Sequence, residues 1–203
     1  MSFHKKDSKK KRIQGSLLIG AFFVWAGLVV AGFLLLGREE FTPVAASAQA
    51  ASFPPDSHIR LAVDKPTLLL FMHPHCPCSR ASLHELDGLL ASTSKKISTV
   101  VVFTIPLGTP AGWEQGDLWQ AASAMPSVRV VRDDGGQEAQ RFGVVGSGHA
   151  LLYDAWGRLL FSGGITPSRG HEGDNVGRSA IENLVLNGHS LVHQTPVFGC
   201  SLL

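Results

Sequence analysis

The longest apolar run in the chain lies near its N-terminus. Residues 16–36 read SLLIGAFFVWAGLVVAGFLLL and contain no charged side chain. At a rise of about 1.5 Å per residue, a helix of this length covers the hydrocarbon core of a bilayer, which is ~30 Å thick. The run therefore predicts one transmembrane helix.

The charges that flank this run predict its orientation. Six of the eighteen Lys and Arg residues lie before it, whereas Arg38, after it, is followed at once by Glu39 and Glu40. By the positive-inside rule, residues 1–15 form a cytoplasmic tail, and the C-terminal part is periplasmic, on the far side of a bacterial-type inner membrane. A cleaved signal peptide is the alternative, because Ala46-Ser47-Ala48 has a small-x-small pattern. The run is longer than a typical secretory h-region, which favours an uncleaved anchor.

Beyond the run, the pattern becomes that of a linker followed by one domain. Residues 37–57 are rich in Ala, Ser and Pro without periodicity, which predicts a linker with no fixed structure. Residues 58–203 are enough for one compact domain. Within it, apolar runs at 67–72 and 97–105 predict two buried strands, and leucines with helical spacing between them predict a helix. This order makes the two strands parallel.

The second half of the domain predicts shorter elements that complete an α/β fold. They are a helix at 113–124, a strand at 128–131, a short helix at 137–142, a hairpin of strands at 149–154 and 159–163, and a final helix at 178–186. Strands alternating with helices and ending in a hairpin predict a mixed sheet flanked by helices.

Charge and cysteine content narrow the function. The net charge is +2, and once the N-terminal basic block is set aside the remainder is slightly acidic, which argues against a nucleic-acid partner. Three cysteines are too few for a disulfide scaffold. A close pair and a distant third cysteine in an oxidising compartment indicate reactive thiols rather than structural disulfides.

The close pair, Cys76 and Cys78, lies at the predicted strand-to-helix junction. A helix N-terminus stabilises a thiolate, so Cys76 is the predicted nucleophile. His73 and His75, when protonated, and Arg80, if its side chain folds back, would add positive potential. Cys78 would attack a mixed disulfide formed at Cys76 and release the reduced partner. A disulfide closed over one residue is tight, which predicts a strained and comparatively oxidising bond.

The order of elements and the cysteine turn resemble the thioredoxin-like superfamily. Phe71 lies five residues before Cys76, as in a thioredoxin-type strand, and the segment from RVVRDD to GGIT is similar to the second half of such a domain. The motifs HPHCPCSR, SRGHEGDN and VFGC resemble the membrane-tethered, extracytoplasmic RedB-like group. The resemblance covers about residues 65–200, and it implies a thioredoxin-like mixed sheet with redox character.

The chain departs from the thioredoxin pattern at two positions. Ser79 stands where the second cysteine of Cys-x-x-Cys would be, and its hydroxyl is predicted to cap the following helix rather than to take part in catalysis. Ser147-Gly148-His149 stands where the resemblance implies a cis-proline facing the thiols. Either His149 or Gly148 would occupy that position. That proline is associated with keeping metals away from the thiols, so without it metal binding at the thiols remains a hypothesis.

Two further groups are candidates for the site. His171, Glu172 and Asp174 offer three ligands or proton carriers in a loop, although Asp174 or Asn175 would serve equally as a helix cap. Cys200 is either a third redox thiol that reaches back to the pair or a lone terminal one.

The leading hypothesis is a thiol–disulfide oxidoreductase without a cofactor. It would act on protein thiols and disulfides through Cys76 and Cys78, with a membrane electron donor as a further candidate partner. A rival hypothesis is a copper-binding or copper-delivering protein, because His73, His75, Cys76 and Cys78 form a soft ligand set. Two further hypotheses are a peroxiredoxin-like peroxide reductase and a redox-inert adaptor of thioredoxin fold.

Overall fold

The structure is a computed structural model, and it describes residues 3–45, 47–93 and 96–202. Ala46, the first residue of the candidate cleavage site, lies outside these ranges, as do the first two residues of the predicted cytoplasmic tail. The chain forms two compact units, Met1–Phe41 and Thr42–Leu203.

The first unit is one long helix, α1 (Phe3–Glu40). Its segment Leu17–Glu40 has a mean hydropathy of 2.4 over its most apolar stretch, and none of that stretch is buried. A core helix of a globular protein would bury its apolar face, and this one does not. By length and composition, α1 is therefore a candidate membrane anchor or signal helix.

The second unit is built on a mixed sheet. Its strands are β1 (Thr67–Met72), β2 (Ser98–Ile105), β3 (Val128–Asp134), β4 (His149–Tyr153) and β5 (Leu159–Gly164). They lie in the order β3-β2-β1-β4-β5. β1 and β3 each pair parallel with β2, while β4 runs antiparallel to β1 and β5. This arrangement confirms the predicted α/β fold with a mixed sheet.

Helices cover both faces of this sheet. They are α2 (Ser79–Thr93), α3 (Asp117–Ala124), α4 (Gln137–Phe142) and α5 (Val176–Asn187). Leu68 and Leu70 of β1 pack on one face with residues of α2, α3 and α5, whereas Leu69 and Phe71 pack on the other with α4. Because both faces of the central strand are covered, β1 is a continuous apolar run rather than an alternating one.

The segment from 42 to 53, here called the N-terminal strap, differs from the expectation of no fixed structure for 37–57. The Val44 amide donates to the Val197 carbonyl at 2.8 Å and the Phe53 amide to that of Gly157 at 2.7 Å. The Phe53 ring packs edge-on against Phe142, with ring centroids 5.1 Å apart. The Phe53 ring and these backbone hydrogen bonds hold the strap against the domain. The Ala/Ser/Pro-rich composition of the strap does not indicate either contact.

The residues after α5, 188–202, form a C-terminal segment that runs back along the sheet. It makes a parallel bridge between Gln194 and Ser162 of β5 and an antiparallel bridge between Ser201 and Gly146. Leu202 is 1% exposed within the core on the α4 side. Ser201 and Leu202 are therefore held beside the start of β4.

Candidate active site at three cysteines

Cys76 and Cys78 lie in the turn that joins the end of β1 to the start of α2. The Cys76 amide donates to the carbonyl of His73 at 3.1 Å, and the Ser79 amide donates to the carbonyl of Cys76 at 3.0 Å. These bonds fold the turn back on itself directly before the helix. The predicted position of Cys76 at a helix N-terminus agrees with this geometry.

Cys200 reaches the same place through the C-terminal segment. The Ser147 amide donates to the Cys200 carbonyl at 2.8 Å. Gly199 packs so closely on Ser147 that a side chain at Gly199 would collide with the Ser147 carbonyl. As a result, the Sγ atoms of Cys76, Cys78 and Cys200 lie within 4.8 Å of one another. We refer to these three residues as the cysteine cluster.

The three thiols of the cluster differ in acidity. Burial alone would raise the pKa of Cys76, but hydrogen bonds from the Cys200 thiol and amide, the Ser79 hydroxyl and the Cys78 amide outweigh burial and lower this pKa. Burial and the negative charge at Cys76 raise the pKa of Cys78. Burial and the hydrogen bond given to Cys76 raise the pKa of Cys200 to about 12. The cluster therefore favours one thiolate, at Cys76, with two neighbouring thiols protonated.

Ser79 and Ser147 connect the cluster to the end of β1. The two hydroxyl oxygens lie 2.7 Å apart, and the Ser147 oxygen accepts from the His73 amide at 2.9 Å. With the Ser147 hydroxyl donating to Ser79, the Ser79 hydroxyl is left to donate to Cys76. The hydroxyl of Ser79 thus acts on the thiolate rather than as the predicted helix cap. Ser147, which was not among the predicted site residues, is 1% exposed at the centre of this chain of hydrogen bonds.

His73 and His75 pack against Trp113 rather than joining the cluster. Their ring centroids lie 5.6 Å and 4.3 Å from that of the indole. The His75 Nε2 lies 2.8 Å from the Trp113 carbonyl oxygen. Burial and the neighbouring His75 lower the pKa of His73, which disfavours its predicted positive charge. Among the described residues, the group that could hold a metal at this site is Cys76, Cys78 and Cys200, and it contains neither histidine.

Arg169, rather than Arg80, supplies the positive charge at the cluster. Arg80 lies on the surface, where its guanidinium is 3.5 Å from the carboxylate of Asp117. Arg169 donates to the carbonyl of Gly199 at 2.6 Å, directly before Cys200. Its charge opposes the raised pKa values of Cys78 and Cys200. Arg169 was not predicted as a site residue, although it stands at the second position of the SRGHEGDN motif.

The His149 ring contacts Ser162 of β5 rather than taking the position of the missing proline. Its Nε2 lies 2.8 Å from the Ser162 hydroxyl oxygen, and burial lowers its pKa to about 4. Gly148 is the residue that contacts the active-site helix, because a side chain there would meet the Ser82 hydroxyl. Of the two residues considered for the position of the missing proline, Gly148 fits better.

The loop that holds His171, Glu172 and Asp174 does not gather them into a ligand group among the described residues. The His171 Nδ1 lies 3.1 Å from the Arg169 carbonyl oxygen, and Glu172 lies 3.0 Å from His84 on α2. Asn175 caps α5, accepting from the Arg178 amide. Within this loop, the His171 ring therefore contacts the backbone of Arg169, and the other two contacts are with α2 and α5.

A surface cavity of about 430 Å³ opens beside Cys76. Cys76 is only 2% exposed, and it lines this cavity. The cavity is lined by the cysteine turn and by the start of α3, including Pro74, His75, Arg80 and Asp117.

No protein-family model matches the chain, and no curated protein matches it. Solved structures are similar to it at low sequence identity. A conserved protein from Geobacillus kaustophilus has a TM-score of 0.59 at 20% identity, covering 80% of this chain and 94% of the other. A protein from Sinorhizobium meliloti 1021, SMc02350, has a TM-score of 0.56 at 19% identity, covering 80% and 96%.

A putative thiol:disulfide interchange protein DsbE from Chlorobium tepidum is a more distant structural neighbour. Its TM-score is 0.44 at 20% identity, covering 72% of this chain and 97% of the other. Similarity at this level concerns the fold alone. The strand order and directions of the second unit are those of the predicted thioredoxin-like mixed sheet.

Proposed function

We propose that this chain is a membrane-anchored thiol–disulfide oxidoreductase that exchanges disulfides with protein partners through Cys76. The observation that carries the proposal is the cysteine cluster, with three sulfurs within 4.8 Å and a lowered pKa at Cys76. Exchange needs a thiolate to attack and a second thiol close enough to resolve the product. The cluster supplies both.

The reaction proceeds in two displacements. The Cys76 thiolate attacks one sulfur of a partner disulfide, forming a mixed disulfide and expelling the other partner sulfur as a thiolate, which takes up a proton. A second thiol of the cluster then loses its proton and attacks Cys76 Sγ, expelling the remaining partner sulfur. The partner gains two electrons and the cluster is left with one disulfide. The reverse sequence oxidises a partner dithiol.

Both Cys78 and Cys200 are within reach of Cys76 for the second displacement. Both thiols donate hydrogen bonds to Cys76, so either sulfur already lies beside the atom it would attack. When Cys76 enters a mixed disulfide it loses its negative charge, and the charge that raises the pKa of the two neighbours is removed. Arg169 then favours the thiolate form of the resolving thiol.

A trapping experiment tests the proposal and identifies the resolving thiol. If Cys78 resolves, Cys78→Ser should accumulate covalent complexes with a disulfide-containing model substrate, whereas Cys200→Ser should still turn over. If Cys200 resolves, the two results exchange. Cys76→Ser should trap nothing and lose exchange activity to background, measured on non-reducing gels and by substrate reduction. Full activity of Cys76→Ser would reject the proposed function.

We propose that the second unit lies in the periplasm, with α1 as an uncleaved anchor. The supporting observations are the basic residues before the apolar segment and the unburied apolar stretch of α1. Alkaline phosphatase fused after Pro55 should be active and β-galactosidase fused there inactive. The opposite pair of activities would contradict this topology and remove the oxidising compartment from the account.

A second candidate function is Cu(I) binding. Three thiolates within 4.8 Å form a soft donor set that suits Cu(I), and this set is Cys76, Cys78 and Cys200. Protein purified without chelator would then carry copper that blocks thiol labelling. Cys200→Ser should lower Cu(I) affinity, measured by competition with a chromophoric chelator, while His73→Ala should not. Metal-free protein with a reducible disulfide in the cluster favours the oxidoreductase instead.

We also propose membership of the RedB-like group, which the HPHCPCSR, SRGHEGDN and VFGC motifs support. A peroxiredoxin-like activity has less support. The residue three positions before Cys76 is His73 rather than the Thr or Ser expected of a peroxidatic site. A membrane electron donor is a candidate partner for restoring the redox state of the cluster.

A further inference from the structure

A second cavity lies away from the cysteine cluster. Its volume is about 680 Å³, and its walls come from the N-terminal strap, the C-terminal segment and the residues around the start of β4. This strap cavity does not include any cysteine among its described lining residues. Its size is within the range of ~300–1,000 Å³ that is typical of small-molecule sites.

Most of the surface area that lines the strap cavity is apolar, although seven of its fourteen described lining residues are polar, and none of the fourteen carries a formal charge. Pro43 and Val44 of the strap face Pro196 and Val197 of the C-terminal segment. A charged ligand would lose part of its hydration on entering and would gain no ionic partner, which is unfavourable. The cavity therefore selects for an uncharged and largely apolar molecule.

Two of the polar lining residues, His149 and Ser162, are buried, and each is 5% exposed. The His149 Nε2 lies 2.8 Å from the Ser162 oxygen, whereas its Nδ1 has no hydrogen-bond partner within the part of the chain that the structure describes. A neutral imidazole has one N–H donor and one acceptor nitrogen. A ligand group that reaches this ring nitrogen would provide its hydrogen-bond partner.

We propose that the strap cavity binds an uncharged, largely apolar molecule whose carbonyl or hydroxyl oxygen hydrogen-bonds to His149. The site is separate from the cavity beside Cys76, and the proposal does not depend on the exchange reaction. Ser162 holds one ring nitrogen and so orients the imidazole. The apolar walls contribute most of the affinity, and His149 contributes the polar specificity.

Photolabelling of the full chain in nanodiscs tests this proposal. The probe is benzophenone, an uncharged diaryl ketone, and labelled residues are mapped by mass spectrometry. We expect labels in the strap and in residues 192–197. Val145→Trp should reduce these labels at least about fivefold, because Val145 lines the cavity and lies at its rim with 40% exposure. Val63→Trp, at a position 91% exposed and outside the cavity, is the matched control.

Labelling of α1 by probe dissolved in the lipid serves as an internal standard, because neither substitution should change it. His149→Phe keeps the ring volume but removes the polar partner, and it should lower cavity labelling at limiting probe by about 2- to 10-fold, the value of one hydrogen bond. The anionic analogue 4-benzoylbenzoate should not label the cavity. Cavity labelling that is absent, unchanged by Val145→Trp, or equal for the anionic probe would overturn the proposal.

Discussion

The cysteine cluster and the strap cavity each hold a titratable side chain that is almost fully buried. Cys76 is 2% exposed and His149 is 5% exposed. The segment from Val145 to His149 serves both regions, since Ser147 contacts the cluster while Val145 and His149 line the cavity. Yet the pKa of Cys76 is shifted toward its charged form and that of His149 toward its neutral form.

The difference between the two regions is the number of hydrogen-bond donors. Burial disfavours a charge in both places. Around Cys76, the Cys200 thiol, the Ser79 hydroxyl and backbone amides direct their hydrogens at one sulfur, and this outweighs the burial. Around His149 only burial acts on the pKa. Burial alone therefore favours a neutral imidazole at His149, and burial with converging donors favours a thiolate at Cys76.

The largest expected effect is the contribution of His149 to the pH dependence of the free energy of unfolding. The folded pKa of His149 is about 4, against an ordinary histidine value of 6.5. Between these values the unfolded chain binds more protons, so the folded state loses stability as the pH falls from 6.5 toward 4. We expect His149 to cost about 2 kcal/mol of the free energy of unfolding between pH 7 and pH 5.

Urea unfolding of the chain in detergent at both pH values measures this loss. His149→Phe should remove about 2 kcal/mol of the pH dependence, and His189→Gln, at an exposed position, should not change it. Equal pH dependence in wild type and His149→Phe would show that His149 is not held neutral by burial.

A smaller effect is expected from removing one donor on the cluster side. Ser79→Ala deletes the hydroxyl that stabilises the Cys76 thiolate, and it should raise the pKa of Cys76, weakening the thiolate by about 1 kcal/mol. Ser82→Ala on the same helix removes a buried hydroxyl that is not among the hydrogen-bond partners of Cys76, and it should leave that pKa unchanged. Alkylation rates of Cys76 measured against pH distinguish the two variants.

The sheet of this domain could be predicted because its signals are local. The apolar run at 67–72 coincides with β1, and the predicted hairpin corresponds to β4 and β5 within one residue at its ends. The predicted helix at 113–124 begins only at Asp117, since Trp113 is used to pack the two histidines. Each of these elements is set by residues that are close in sequence.

The cluster and the strap depend on contacts between distant parts of the chain. Cys200 reaches Cys76 because Gly199 and Ser147 let two backbones approach, which no periodicity in either segment indicates. The strap is held by Phe53 against Phe142 and by backbone hydrogen bonds, so its composition predicts a linker where the structure has a packed segment. Arg169 acts through the same long-range packing.

The central claim is that the cluster concentrates nucleophilic character in one of three neighbouring thiols. The most direct test is the alkylation rate of each cysteine in the fully reduced chain as a function of pH, resolved by mass spectrometry of the peptides. Cys76 should titrate below the ordinary pKa of a cysteine thiol, and Cys78 and Cys200 above it. Three thiols with the same apparent pKa, or a lowest value at Cys78 or Cys200, would contradict the account.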